Sequence, residues 1–233
     1  MNDNAHLKRR GIIMVFTFIA VLAIIFTPIF PGTNGQKVNG LNYLDNFFNQ
    51  LAKGSAYYIE EQMQEAQSYA GTTYSASLVM GSPQQAERVA SLLTVNRISA
   101  NAVGVELDVK GDFADIITII LEDADLMYDN VGNVIAAKYD MNELAVLHGW
   151  YLVLQAMERD LNQAKKFSQA KFLKKSMSKA VEPAYNFYKV EVKPVKEGMV
   201  LLAGALIFYV LYTVWYGFGL LYIFEGMGIK LEH

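Results

Sequence analysis

Residues 199 to 224, MVLLAGALIFYVLYTVWYGFGLLYIF, contain no charged side chain. At a rise of about 1.5 Å per residue, this run forms a helix of roughly 39 Å, which exceeds the ~30 Å hydrocarbon core of a bilayer. A soluble helix of that length normally shows a polar face, and this run has none. The pattern predicts a transmembrane helix.

A second uncharged apolar run, GIIMVFTFIAVLAIIFTPIF, occupies residues 11 to 30 and is also long enough to cross a bilayer. It is longer than the apolar part of a typical signal peptide and lacks a small-x-small cleavage motif, which predicts an uncleaved signal anchor. Lys8, Arg9 and Arg10 directly precede it. By the positive-inside rule the N-terminus is expected in the cytoplasm, and a second crossing returns the C-terminus there.

The two spans predict a division of the chain into five segments. These are residues 1–10 (cytoplasmic N-terminus), 11–30 (first transmembrane helix), 31–198 (extracytoplasmic domain), 199–224 (second transmembrane helix) and 225–233 (cytoplasmic tail). The expected location is the bacterial inner membrane, with the central domain in the periplasm. Leu231, Glu232 and His233 are either native or the remnant of a purification tag.

Composition argues against several function classes. The 233 residues carry a formal net charge of -3 and contain no cysteine. The mild charge argues against a nucleic-acid partner, and the lack of cysteine excludes disulfides, thiolate metal sites and a cysteine nucleophile. The sequence also lacks the short motifs of nucleophile elbows, zinc helices, phosphate loops and dinucleotide sites. We therefore expect no cofactor and a non-enzymatic role.

Hydrophobic periodicity predicts that the central domain has an α+β fold, rich in helices with a small sheet. Strands are expected at 73–80 and 103–110, and a third at 187–193 or, alternatively, at 133–139. Val103, Val105, Leu107 and Val109 should share the inward face of one strand. Helices are expected at 41–53, 57–69, 83–95, 113–128, 142–164 and 166–181, with Ser82 and Asp112 as N-caps of two of them.

Aromatic side chains are concentrated soon after the first span, at Tyr43, Phe47, Phe48, Tyr57 and Tyr58. They could form an aromatic belt at the membrane interface or pack in the core of the domain. Core packing is the favoured interpretation.

Acidic side chains between residues 106 and 140 include the candidate cation ligands Glu122, Asp123, Asp125 and Asp129. Their spacing matches a calcium loop only in part, because glycine comes late and no closing glutamate follows. Asp123 and Asp125 also fall inside a predicted helix, where they cannot bind one ion together, so a solvated helix face is the preferred interpretation. His148 has no nearby serine or cysteine motif and is expected to be a packed or surface histidine.

The second span carries a polar stripe. Tyr209, Tyr212 and Tyr216 fall at helical spacing with Thr213 beside them, and Gly219 is a small residue of the kind that permits close helix approach. Because an unpaired hydroxyl is costly in hydrocarbon, the stripe should pack on the first span or face identical stripes around a symmetry axis. A homo-oligomer, with the stripe facing the axis or a pore, is the preferred interpretation.

The membrane boundaries should be marked by anchoring side chains. The candidates are Lys8, Arg9, Arg10, Trp215 and Tyr222.

Three function classes fit these features. The first is a non-enzymatic membrane module that self-associates or binds a further subunit of an inner-membrane assembly. The second is a homo-oligomeric ion channel, because the layout of short cytoplasmic ends, two spans and a large outer domain resembles that of acid-sensing and purinergic receptor channels. The third is an extracytoplasmic ligand sensor, which the short tail after the second span disfavours. The first class is preferred, with the lipid bilayer and copies of the chain as expected partners.

Overall fold

The computed structural model describes residues 2–32 and 35–229, so Leu231, Glu232 and His233 lie outside the described residues. The chain is a mostly helical α+β protein that divides into two compact units. The terminal unit comprises the chain up to Ala52 together with the chain from Val192 onward, and the central unit is Lys53–Glu191.

The described helices and strands follow one another along the chain. The helices are α1 (Asn2–Phe26), α2 (Gly40–Ser55), α3 (Ile59–Gln67), α4 (Pro83–Val95), α5 (Phe113–Tyr128), α6 (Gly132–Tyr139), α7 (Glu143–Gln163), α8 (Phe167–Ser176), α9 (Glu182–Asn186) and α10 (Val195–Gly226). The strands are β1 (Phe30–Pro31), β2 (Lys37–Val38), β3 (Thr73–Val79), β4 (Ser99–Val103) and β5 (Glu106–Asp112). A π-helical turn, Met177–Val181, connects α8 to α9.

In the terminal unit, the two long apolar helices α1 and α10 pack together. Both are long and apolar enough to be candidate membrane spans, at Asn4–Phe26 and Val195–Gly226. The short strands β1 and β2 pair antiparallel after α1 and lead into α2. The first helix ends at Phe26, four residues before the predicted end of the first span at residue 30, because residues 30 and 31 pair with β2 instead of continuing the helix.

In the central unit, an antiparallel sheet has the strand order β3-β5-β4. The inward side chains of β3 and β5 alternate with exposed polar ones, and the helices bury the inward face. Leu78, Leu107 and Val109 are buried on that face, and Trp150 of α7 is completely buried in the same core. The predicted N-caps are confirmed: the Ser82 side chain accepts from the Gln85 amide, and Asp112 accepts from the amides of Ala114 and Asp115.

The predicted strand 103–110 is partly wrong, because the chain reverses within it. Gly104 adopts a φ of +61° and forms, with Val105, a two-residue hairpin loop between β4 and β5, with glycine first as in type II′ turns. Val103 and Val105 were expected to face inward, but they are 68% and 39% exposed. The turn breaks the alternation, and β4 supplies the third strand of the sheet.

Both sequence candidates for the third strand are wrong. Residues 133–139 belong to α6, in which Ile135 and Tyr139 are buried at the i, i+4 spacing of a helix. Residues 187–193 have no regular structure. Lys189 has a φ of +64°, and side chains rather than a neighbouring strand bind this backbone: Lys53 donates to the carbonyls of Phe187 and Val190.

Candidate functional site

The helices α1 and α10 approach so closely that glycine is required between them. A β-carbon added at Gly11 would lie 2.6 Å from the Gly219 carbonyl oxygen and 2.7 Å from the Ile223 nitrogen. One added at Gly226 would lie within 2.7 Å of the backbone of Lys8. The start of α1 therefore lies beside the end of α10, and the two helices form an antiparallel pair.

Two tyrosines of the predicted stripe bind α1 of the same chain. The Tyr212 hydroxyl donates to the Phe18 carbonyl oxygen at 2.9 Å, and its ring stacks on the Phe18 ring with centroids 4.1 Å apart. The Tyr216 ring contacts the same phenylalanine at 4.8 Å. This arrangement gives the Tyr212 hydroxyl a partner that it needs in an apolar setting.

The other members of the stripe do not share one surface. Tyr209 is 67% exposed, and the Thr213 hydroxyl donates to the Tyr209 carbonyl within the same helix at 2.7 Å. Gly219 is buried against Val15 of α1. The intrachain alternative thus describes Tyr212 and Gly219, whereas the predicted oligomer stays a prediction.

Of the predicted interface anchors, Lys8, Arg10 and Tyr222 lie toward one end of the helix pair. The guanidinium carbon of Arg10 is 4.8 Å from the centroid of the Tyr222 ring, a cation–π contact. Arg9 and Arg10 also line, with His6, a cavity of about 340 Å³ on α1. Trp215 is partly exposed.

The remaining surface of the helix pair is apolar and open. Large apolar side chains face outward on both helices, and an apolar surface of this extent is uncommon on soluble monomers. Exposed examples are Ile12, Ile13, Phe16, Ile19, Ile24, Phe26, Met199, Val200, Leu206, Ile207, Tyr209, Val210 and Leu211.

In the central unit, the predicted solvated face is wrong at Asp123, because this carboxylate is buried and its hydrogen bonds are satisfied internally. Asp123 is only 1% exposed and accepts from the Tyr139 hydroxyl at 2.5 Å, the Trp150 indole at 2.7 Å and the Lys138 ammonium at 3.0 Å. Burial, together with the bond to Asp123, raises the pKa of Tyr139 well above its usual value. Asp123 therefore ties α5 to α6 and α7.

A buried lysine has a similar role. Lys53 is 1% exposed, and its ammonium donates to the Asn130 side-chain oxygen at 3.1 Å and to the carbonyls of Phe187 and Val190 at 3.1 and 2.8 Å. Burial lowers the pKa of Lys53, and the nearby charge of Asp129 opposes that shift. Three acceptors use all three donors of the ammonium, so Lys53 fixes residues 187–190.

The carboxylates predicted as cation ligands have different surroundings. Asp125 accepts from the Tyr57 hydroxyl at 2.9 Å, while Glu122 and Asp129 are exposed. Within residues 2–32 and 35–229, no three or more His, Cys, Asp or Glu side chains form a group that could hold a metal ion. His148 is exposed beside a cavity of about 170 Å³.

A sheet edge is a candidate binding feature of the central unit. β3 is an edge strand. Just before its paired residues, the Phe113 amide donates to the Thr72 carbonyl, and just after them the Met80 amide donates to the Val105 carbonyl, both at 2.8 Å. In an antiparallel pair every second residue bonds to the partner strand, so the even-numbered residues of β3 bond to β5. The N–H and C=O groups of Ser75 and Ser77 then point away from β5. β3 contains none of the charges or prolines that usually protect an edge.

A groove of about 350 Å³ lies along the end of this edge. It is lined by residues 77–81 of the chain and by Ala156, Arg159, Asp160 and Gln163 of α7. The guanidinium of Arg159 lies 3.4 Å from the Val79 carbonyl oxygen. An edge strand beside a helix is a geometry that accepts an added extended peptide.

Sequence reasoning missed the most organised polar groups. The buried roles of Asp123 and Lys53 depend on partners distant in sequence, and no short motif marks them. The uncharged composition of β3 could have indicated an unprotected edge once its edge position was known.

Comparison with known proteins supplies no relative, since no family model, no curated protein and no solved structure matches this chain.

Proposed function

We propose that the protein is a non-enzymatic, two-span module of the bacterial inner membrane. Its central unit lies on the extracytoplasmic side and binds either a further subunit of a membrane assembly or another copy of the chain. In this arrangement both termini are cytoplasmic, as the positive charges of Lys8, Arg9 and Arg10 favour.

The observation that supports a membrane setting is the surface of the α1–α10 pair. The Tyr212 hydroxyl finds its acceptor on the other helix, at Phe18, and the Thr17 and Thr213 hydroxyls find theirs within their own helices. Large apolar side chains face outward. This is the distribution expected in lipid, where helices associate through small residues and interhelical hydrogen bonds rather than through the hydrophobic effect.

The antiparallel pairing also supports a single outer domain. The ends of the pair near Lys8 and Gly226 lie together, so the chain leaves and re-enters the pair at its opposite end. The Lys193 amide donates to the Gln50 carbonyl at 3.3 Å there. Gln50 and Lys193, which lie close to the two chain boundaries of the terminal unit, are thus next to each other.

The non-enzymatic part of the proposal is supported by the use of the buried polar groups. Asp123 and Lys53 are fully occupied by internal hydrogen bonds. The open edge of β3, in contrast, presents unpaired backbone groups that match an extended segment of a partner.

The orientation can be tested with single cysteines, because the native chain has none. Asn4→Cys and Ser77→Cys, both at exposed positions, should respond oppositely to a membrane-impermeant maleimide. In intact spheroplasts Ser77→Cys should be labelled, and Asn4→Cys only after permeabilisation. The reverse pattern would overturn the orientation, and recovery of the protein in the soluble fraction would overturn the membrane assignment.

Partner binding can be tested at the β3 edge. Ser77→Pro removes an outward N–H, and an edge strand tolerates proline at such a position; Ser77→Thr keeps the N–H and is the control. The native mass of the detergent-solubilised particle should exceed that of one chain, and Ser77→Pro alone should reduce it. A monomer without co-purifying protein would contradict association, and an assembly unchanged by Ser77→Pro would contradict docking at β3.

A further inference from the structure

The uncharged part of α1 is shorter than the hydrocarbon core of a bilayer. Its uncharged helical part, residues 11–26, extends about 24 Å at the helical rise, compared with the ~30 Å of hydrocarbon. The uncharged run of α10 extends about 39 Å by the same measure. The outer part of α10 therefore extends beyond the end of α1.

The helix α2 begins where α1 ends. A β-carbon added at Gly40 would lie 3.1 Å from the Ile25 side chain and 3.1 Å from the Phe30 ring. The other end of α2 packs on the start of α10, where a β-carbon at Gly198 would lie 2.8 Å from Leu51 and 3.0 Å from Phe47. α2 thus continues along the part of α10 that α1 does not reach.

Helical rise gives the depth of α2. Fifteen residues separate Arg10 from Ile25, which corresponds to about 22 Å of helix. The five residues from Gly40 to Asp45 add about 8 Å if α2 keeps this direction. Asp45, the first carboxylate of α2, then lies about 30 Å from the basic residues at the start of α1, which is the thickness of the hydrocarbon core.

The apolar face of α2 is wider than its contact with α10. Phe47 is buried and packs, with Leu51, against Gly198. On the adjoining part of the same face, Leu41 is 50% exposed and Phe48 is 43% exposed.

The opposite face of α2 is polar. Asn42, Asp45 and Asn49 lie there by helical spacing, and the Asn49 amide donates to the Asp45 carboxylate at 3.2 Å.

We propose that α2 completes the first membrane crossing, with Leu41 and Phe48 in contact with lipid at the outer boundary of the bilayer. Asp45 and Asn49 then face the headgroup region. This inference rests on the proposed two-span function. The exposed strip formed by Leu41 and Phe48 adjoins Phe47 and Leu51, through which α2 packs on α10. An amphipathic helix at this depth places its apolar face at the boundary of the acyl chains.

The experiment uses nitroxide labels on single cysteines in the full chain, reconstituted in phosphatidylcholine–phosphatidylglycerol vesicles. Leu41→Cys and Phe48→Cys test the strip, and Asn42→Cys tests the opposite face. Val210→Cys, which is exposed on α10, reports hydrocarbon, and Ser77→Cys reports water. The measured quantity is the collision rate with oxygen, which concentrates in hydrocarbon, relative to that with a water-soluble nickel chelate.

We expect this ratio to be several-fold higher for the Leu41 and Phe48 labels than for the Asn42 label, and to approach the ratio at Val210. A ratio at Leu41 and Phe48 equal to that at Ser77, with a high ratio at Val210, would overturn the lipid contact but leave the two spans intact. Low collision rates with both reagents would show that protein covers the strip, which also overturns the inference. A water-like ratio at Val210 would overturn the proposed function itself.

Discussion

The two units of the chain distribute polar and apolar groups in opposite ways. In the central unit, apolar side chains are inside, and the buried charges of Asp123 and Lys53 are enclosed by hydrogen bonds. In the α1–α10 pair, the inside is made of glycine and tyrosine contacts, and the apolar side chains are outside. This difference is the one that the proposed function predicts, with water around the central unit and lipid around the pair.

The forces that stabilise the units should differ accordingly. The central core gains from removing apolar area from water, at about 25 cal/mol per Å². A helix pair in lipid has no such gain, because lipid tails are as apolar as its side chains. Its stability then depends on backbone approach at glycine and on single hydrogen bonds, which can be tested one at a time.

The largest effect should come from breaking the buried polar group of the central unit. Asp123→Ala leaves the Tyr139 hydroxyl, the Trp150 indole and the Lys138 ammonium without their acceptor. Removing one partner from a buried pair costs about 3–5 kcal/mol. We expect this loss in the free energy of unfolding of the solubilised chain, measured by chemical denaturation.

Glu122→Ala is the matched control, since Glu122 neighbours Asp123 on α5 but is exposed. Its effect should stay within about 0.5 kcal/mol. Equal effects of the two substitutions would show that the network around Asp123 does not stabilise the central unit.

The next effect should come from separating the helix pair. Gly11→Ala places a β-carbon against the Gly219 carbonyl and the Ile223 backbone nitrogen, and backbone atoms cannot move aside as side chains do. Overpacking typically costs about 1–3 kcal/mol. Gly217→Ala is the control, because a β-carbon there would have no atom within 4 Å apart from the adjacent residues and backbone of its own helix. Unfolding in mixed detergent micelles should distinguish the two, and an equal response would refute close approach at Gly11.

Local signals in the sequence predicted the local structure well. Ser82 and Asp112 mark helix starts through side-chain acceptors within three residues, and uninterrupted apolar runs mark α1 and α10. The third strand could not be predicted in the same way. The alternation at 187–193 is typical of a strand, but Lys53 binds this backbone from far away in sequence.

The candidate site was predicted only in part, because its partners are also distant in sequence. The tyrosine spacing indicated a face of α10 that needs partners, and periodicity alone left open whether the partner was α1 or another copy. The Phe18 carbonyl that accepts from Tyr212 carries no sequence signal, since every residue has a carbonyl. The turn at Gly104 likewise removed Val103 from the face that strict alternation had given it.

A smaller effect is expected from the hydrogen bond between the two helices. Tyr212→Phe keeps the stack on Phe18 and removes the bond to its carbonyl. Interhelical hydrogen bonds in membranes contribute about 0.6 kcal/mol on average and ~1.7 at most. Tyr209→Phe, at an exposed position, should change the unfolding free energy less. A larger loss from Tyr209→Phe would indicate that this hydroxyl meets a second chain and would favour the oligomer.

The smallest effect should appear in the central unit as a dependence on pH at Asp125. Burial raises the pKa of Asp125 above its ordinary value of 3.8, and the Tyr57 hydroxyl partly opposes this. The folded state therefore holds the proton more tightly than the unfolded state does. Stability from this group is greatest below pH 3.8 and falls as pH rises through the folded pKa.

Asp125→Asn removes this titration, so wild type should lose stability relative to the variant as the pH rises from acid to neutral. Because the carboxylate is partly exposed, solvent screening keeps the difference small. Tyr57→Phe should steepen the slope, since it removes the hydrogen bond that favours the ionised carboxylate. The measurement is the unfolding free energy of both proteins across this pH range. If wild type instead gained stability relative to Asp125→Asn toward neutral pH, Asp125 would be stabilised as an anion, and its carboxylate would be better hydrated than its burial indicates.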